Sequence, residues 1–144
     1  MRVERSISIA RPPAEVFGYM SDVRNDPSWH TDVLEVSSST DTVGMGTVFT
    51  VKVKPSMGVT GGTMTVSRLE PGHLVEFTGR MGKMAPIVTN ICDPDGQGTR
   101  VTRRVDLEPP GPMRIMTPLI KRMIGKSNDG FLGNLKGVLE KGSA

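Results

Sequence analysis

Apolar and polar residues alternate in short runs over most of this chain, then switch to helical spacing near its end. Val3, Ile7 and Ile9 share one face of the opening run, opposite Arg2, Glu4, Ser6 and Ser8, the pattern of a half-buried strand. Arg11-Pro12-Pro13-Ala14-Glu15 then starts a helix, because proline is tolerated in a first turn and an acid suits the positive end of the dipole. Val16, Phe17 and Met20 supply its apolar stripe. Ser21-Asp22 and Asn25-Asp26-Pro27 interrupt the pattern, and Pro27-Ser28-Trp29-His30 predicts a second short helical turn.

Five or six strands follow in the pattern. Val33 to Ser37 is the first candidate. Thr47 to Lys54 sets Phe49, Val51 and Val53 against Thr50, Lys52 and Lys54. Thr60 to Leu69 carries Met64 and Val66 inward, with Gly61-Gly62 expected to form a bulge. Leu74 to Arg80 turns Val75 and Phe77 the same way, while Pro86 to Cys92 is apolar without a clear parity. Asp93 to Gly98 reads as a turn, and Thr99 to Leu107 puts Val101, Val105 and Leu107 on one face. Short connections between these runs favour antiparallel pairing.

From Met113 to Lys141 the spacing changes. Met116, Ile120, Met123, Phe131, Leu135 and Leu139 recur at mostly helical intervals among Arg114, Lys121, Arg122, Lys126 and Lys136, so one long helix is expected after Pro109-Pro110-Gly111-Pro112. Its apolar stripe must cover something, and the sheet upstream is the only large apolar surface on offer. One helix laid across one curved sheet tends to leave a pocket between the layers.

Composition narrows the function without naming it. A chain of 144 residues suits one domain, 1–144, with a core large enough to need no disulfide or metal. The net charge of +3 comes without a dense Lys/Arg run, which argues against nucleic acid as a partner. The lone Cys92 excludes an internal disulfide and suits a reducing cytoplasm. No run approaches the ~20 apolar residues of a bilayer span, so stable membrane insertion is not expected. Ten methionines outnumber one Trp, one Tyr and four Phe, and methionine suits either a loosely specified core or a cavity for varied apolar ligands.

The order of elements carries a resemblance. The opening strand runs into Arg11-Pro12-Pro13-Ala14-Glu15-Val16-Phe17 and then Asn25-Asp26-Pro27-Ser28-Trp29. Gly44-Met45-Gly46-Thr47, Leu69-Glu70-Pro71-Gly72 and Gly98-Thr99-Arg100-Val101-Thr102 follow at strand boundaries. Together they resemble the START-like SRPBCC superfamily, and within it the polyketide cyclase/dehydrase branch. The resemblance implies an α+β helix-grip fold, with a curved antiparallel sheet wrapped around a long C-terminal helix and two short helices after the first strand. It implies an apolar cavity and leaves the activity open, because members range from aromatase/cyclases to lipid carriers and chaperone-ATPase activators.

A cavity there would take a small hydrophobic ligand: a lipid, a polyketide or an aromatic compound. Its expected lining is Trp29, Phe49, Val51, Met64, Val66, Val75, Phe77, Val101, Arg103, Met116, Ile120 and Met123. Arg103 shares the parity of Val101 and Val105, so its guanidinium should point inward, where a ligand carboxylate or enolate could partner it. A bulge could flip that parity, or Glu76 could pair with it. The alternative to a carrier is a polyketide cyclase/dehydratase, with Arg103, His30 and Tyr19 as candidate catalytic groups for enolate stabilisation and proton transfer. An exposed loop position is the plainer explanation of His30 and is preferred to the catalytic one, and His73 is expected at a solvated strand end.

No cofactor or metal is called for: two histidines without a cluster at ligand spacing do not make a metal site. Gly44-x-Gly46 precedes a strand and is a turn, and Cys92 has no evident base partner. Arg114, Lys121, Arg122 and Lys126 could touch an anionic membrane or simply face water.

Overall fold

The computed structural model describes residues 1–56, 58–109 and 111–141. Seven antiparallel strands form one curved, open sheet: β1 (Arg2–Ile9), β2 (Val33–Ser38), β3 (Val48–Ser56), β4 (Val59–Glu70), β5 (Leu74–Arg80), β6 (Ile87–Asp95) and β7 (Gly98–Asp106). Their order across the sheet is β1-β7-β6-β5-β4-β3-β2. Strands β3 to β7 follow one another through short connections, as alternating runs with turn residues between them dictate, while residues 39–47 form a longer loop from β2 to β3. The Asp93–Gly98 loop tightens to a two-residue turn, because Asp95 pairs with Gly98 and Gly96 takes a φ of 60° that favours glycine.

β1 and β2 follow each other in the chain yet lie at opposite edges. The segment between them must therefore cross the concave mouth of the sheet. It carries α1 (Pro13–Ser21) and a 3-10 turn, Val23–Ser28, whose start is capped when Asp22 accepts the Arg24 backbone N–H at 3.1 Å. This crossing brings Asp26, Trp29 and His30 over the sheet. The predicted helical turn at Pro27–His30 lies a few residues earlier than the pattern suggested.

The last helix starts later than expected. Gly111–Met116 winds as a 3-10 turn, and α2 proper runs Thr117–Lys141 with Pro118 in its first turn. Phe131, Leu132, Leu135 and Leu139 face the sheet and join Trp29, Phe49, Val75, Val101 and the other strand residues in the core, while Ile120 is buried outside that cluster. Burying each such side chain contributes about 1.5–3 kcal/mol. Asn134 donates to the Trp29 carbonyl at 3.2 Å, and Lys136 to the Ser8 carbonyl at 2.8 Å, so the C-terminal half of α2 is tied to both the crossing segment and β1.

The expected bulge at Gly61-Gly62 falls elsewhere. Gly61 and Gly62 pair in register with Lys52 and Val51, and the irregularity lies between Lys52 and Ser56 of β3. Glycine is needed at 61 and 62 for another reason. A Cβ at Gly61 would stand 2.5 Å from the Val51 carbonyl oxygen, and one at Gly62 would collide with that of Arg80. Both glycines permit close backbone approach rather than an extra residue.

Candidate functional site

Arg103 is the polar centre of the concave face. Register places it in a row running Val75, Asn90, Arg103 and Arg5 across β5, β6, β7 and β1. The residue keeps only 7% of its surface exposed. Its Nε donates to Asn128 Oδ1 on α2 at 3.0 Å, and an Nη1 hydrogen to Asn90 Oδ1 at 3.3 Å. The guanidinium carbon lies 5.4 Å from the centre of the Trp29 ring, within cation–π range. Among the described residues no carboxylate comes within ion-pair distance of Arg103, and Glu76 instead accepts from Ser67 at 2.9 Å. Its neighbour Arg5 differs: that guanidinium reaches Asp129 at 3.3 Å near the surface. Among the described residues two neutral amide oxygens are thus the side-chain hydrogen-bond acceptors of this buried cation, and burial lowers its pKa from the usual value against the attraction of Asp26.

Asp26 and His30 complete the polar group. Asp26 is buried, its Oδ1 has no hydrogen-bond partner, and desolvation pushes its carboxyl up to about 7 against the opposing charge of Arg103. His30 stacks on Phe131 of α2 with ring centres 4.0 Å apart and leaves one edge toward a cleft, while its Nδ1 is enclosed without a partner. Burial first, then the charge of Arg103, hold the imidazole neutral, with its pKa lowered to about 3. The Ser21 hydroxyl and the Trp29 indole N–H are likewise enclosed and unpartnered. All four such atoms sit on the segment that crosses the mouth of the sheet.

Of these groups Arg103, His30 and Asn128 line a cleft of about 380 Å³ between α2 and the concave face. Its walls include His30, Val88, Arg103, Met123, Asn128 and Phe131, and Asp32 stands at its edge. A larger groove, about 710 Å³, lies between Gly58-Val59, Gly82–Met84 and Gly111–Met113, but among the described residues of its lining Lys83 alone is titratable. Orientation needs convergent polar groups, so the candidate site is the smaller cleft. Among the described residues no cluster of His, Cys, Asp and Glu could hold a metal ion.

The residues nominated from sequence divide into three sets. Arg103, His30 and Met123 meet at the cleft. Trp29, Phe49, Val51, Met64, Val66, Val75, Phe77, Val101 and Ile120 are buried, and Trp29 among them lies against the polar group, under Arg103 and edge-on to His30 at 5.9 Å. Met116 and Tyr19 lie apart. Met116 is 46% exposed, because winding at three residues per turn carries it out of phase with α2. The Tyr19 hydroxyl bonds to Ser28 Oγ on the exposed side of the crossing segment. His73 stands at a solvated strand start between Glu70 and Asp93, at 3.3 and 3.1 Å.

Asn90 and Asn128 escaped the sequence reading, although both carried a signal. Asn90 alternates with Val88 and Cys92, and Asn128 falls at helical spacing between Ile120 and Leu132. A polar residue inside an apolar stripe was the mark of each.

A curved antiparallel sheet gripping one long C-terminal helix defines a helix-grip protein. The chain belongs to the SRPBCC polyketide cyclase/dehydrase and lipid transport family, whose model matches residues 1–140. Among solved structures it is similar to TTHA0849 from Thermus thermophilus, at 18% identity over 100% of both chains with a TM-score of 0.80. It is similar to Ara h 8.0201, at 14% identity over 98% of each chain and 0.72. DynU16, from the dynemicin biosynthetic locus, aligns at 17% identity over 98% of this chain and 48% of its own, at 0.70. At these identities the likeness establishes the fold. Among curated proteins none matches the chain in sequence.

Proposed function

We propose that the protein binds a small hydrophobic ligand carrying one anionic or enolate-like oxygen, in the cleft beneath α2, with Arg103 as its anchor. The observation that carries this reading is the buried Arg103 guanidinium, held by two neutral amides and bordering a cleft large enough for a small molecule. A ligand carboxylate would supply the missing counter-charge through charge-assisted hydrogen bonds. Phe131, Val88 and Met123 would cover its apolar part. The family, described as including lipid transport, supports the class of ligand. A cytoplasmic setting fits the lone, buried Cys92.

Native mass spectrometry of the purified protein should show a bound lipid or aromatic acid. Arg103→Leu should weaken binding of an aromatic or fatty carboxylate about 10- to 100-fold, the size of a lost hydrogen bond to a charged group. The matched neutral amide or alcohol should bind the two proteins alike. Equal carboxylate affinity in both would sink the proposal.

A second reading, a polyketide cyclase/dehydratase, is favoured by one specific feature. Asp26, whose carboxyl titrates near neutral pH, feels the charge of an arginine suited to stabilising an enolate. Turnover of a poly-β-ketone, lost in Arg103→Leu and His30→Ala, would select it over the carrier. Tight binding without turnover would reject it.

A further inference from the structure

We propose that the outward side of residues 111–126 docks the protein onto an anionic lipid bilayer. A surface helix ordinarily turns polar side chains to water. Here Ile115 is 88% exposed, Leu119 60%, Met123 47% and Met116 46%, all within two and a half turns of chain. Leu119 and Met123 are one turn apart on the face opposite the buried Leu135. Among the described residues the other exposed large apolar ones, Leu34, Met45 and Ile87, belong to separate strands and loops.

Charge identifies the occupant. Residues 111–128 contain Arg114, Lys121, Arg122 and Lys126 and no aspartate or glutamate. None of these four cations forms an ion pair within 4 Å among the described residues, whereas Arg2, Arg5, Arg11, Arg24, Arg68 and Arg104 all do. Around the helix Arg122 and Lys126 fall within about 100° of Leu119 and Met123, whereas Lys121 lies on the other side, and apolar side chains flanked by cations match the boundary between anionic headgroups and acyl chains. No described helix is long and apolar enough to cross a membrane, so the contact is peripheral. Met123 also lines the cleft, which brings the mouth of the cleft to the docked face.

Vesicle sedimentation tests this separately from ligand binding. The full chain should pellet with phosphatidylcholine vesicles containing about 30% phosphatidylglycerol, and remain in solution with pure phosphatidylcholine or at about 1 M salt, where screening is nearly complete. Arg122→Glu with Lys126→Glu should weaken binding at least tenfold, since each cation near such a surface contributes about fivefold. Ile115→Asp with Leu119→Asp should abolish it with the melting curve unchanged, because neither side chain is packed. Leu34→Asp should leave it intact. Absence of pelleting with the anionic vesicles, equal pelleting with neutral ones, or full binding by the Ile115/Leu119 double variant would each overturn the proposal. So would loss of binding in Leu34→Asp, or sedimentation velocity showing that the face instead joins two copies of the chain.

Discussion

Asp26 and His30 both lie near enough to Arg103 to feel its charge, and burial drives each toward its neutral form. Their effects on stability run in opposite directions. Asp26 holds its proton to about pH 7 when folded but only to about pH 4 when unfolded, so its contribution is full at low pH and is lost as pH rises through 7. His30 stays neutral down to about pH 3 when folded, while the unfolded chain takes up that proton below about 6.5. Its contribution is therefore present above 6.5 and is lost as pH falls toward 3. Between pH 4 and 6.5 the two offset each other. Asp26→Asn copies the protonated acid and unmasks His30: the variant should be as stable as the parent near pH 4 and about 2–4 kcal/mol more stable at pH 8. Urea unfolding at pH 4, 6 and 8 measures the difference, and parallel curves for the two proteins would refute it.

Glycine acts in two opposite ways in the elements. Gly62 lies where β3, β4 and β5 approach, with no room for a Cβ beside the Arg80 carbonyl. Gly62→Ala should cost about 2 kcal/mol or more, the range of overpacked sites. A methyl group added at Gly133 or Gly137 of α2 would meet nothing within 4 Å, and there Gly→Ala should stabilise by about 0.5–1 kcal/mol each. Thermal melts of the three variants check both signs at once. The same contrast explains what the sequence could tell. Helical spacing placed Ile120, Phe131, Leu135 and Leu139 on the packed side of α2, and alternation placed Arg103 with Val101 and Val105 on the concave face. Neither pattern reports on a neighbouring strand, so the Gly61-Gly62 pair read as a bulge instead of a close approach. Nor does a helical period reveal the 3-10 winding that turns Met116 outward.

At the scale of the molecule, the site depends on contacts far apart in sequence. Asp26 and Trp29 are enclosed only because the connection from β1 to β2 must span the whole sheet, a consequence of topology that no local pattern displays. The roof over them is unevenly fastened. Beyond Gly125, α2 is held by Phe131, Leu132, Leu135 and Leu139, by Asn134 and Lys136, and by Glu140, which accepts the Ala10 N–H at 2.9 Å. Before Gly125 only Ile120 is buried and Ile124 partly so, while Leu119 and Met123 face outward. Local opening costs least where few apolar contacts break, so the first turns of α2 should part from the sheet well below the free energy of global unfolding. Amide hydrogen exchange should then be at least tenfold faster for 121–124 than for 132–136. A carboxylate ligand bound at Arg103 should slow the first group and leave the second unchanged, because Met123 and Ile124 border the cleft. Equal protection along the helix would mean that its two halves open together, and that a ligand reaches Arg103 by some route other than the lifting of those first turns.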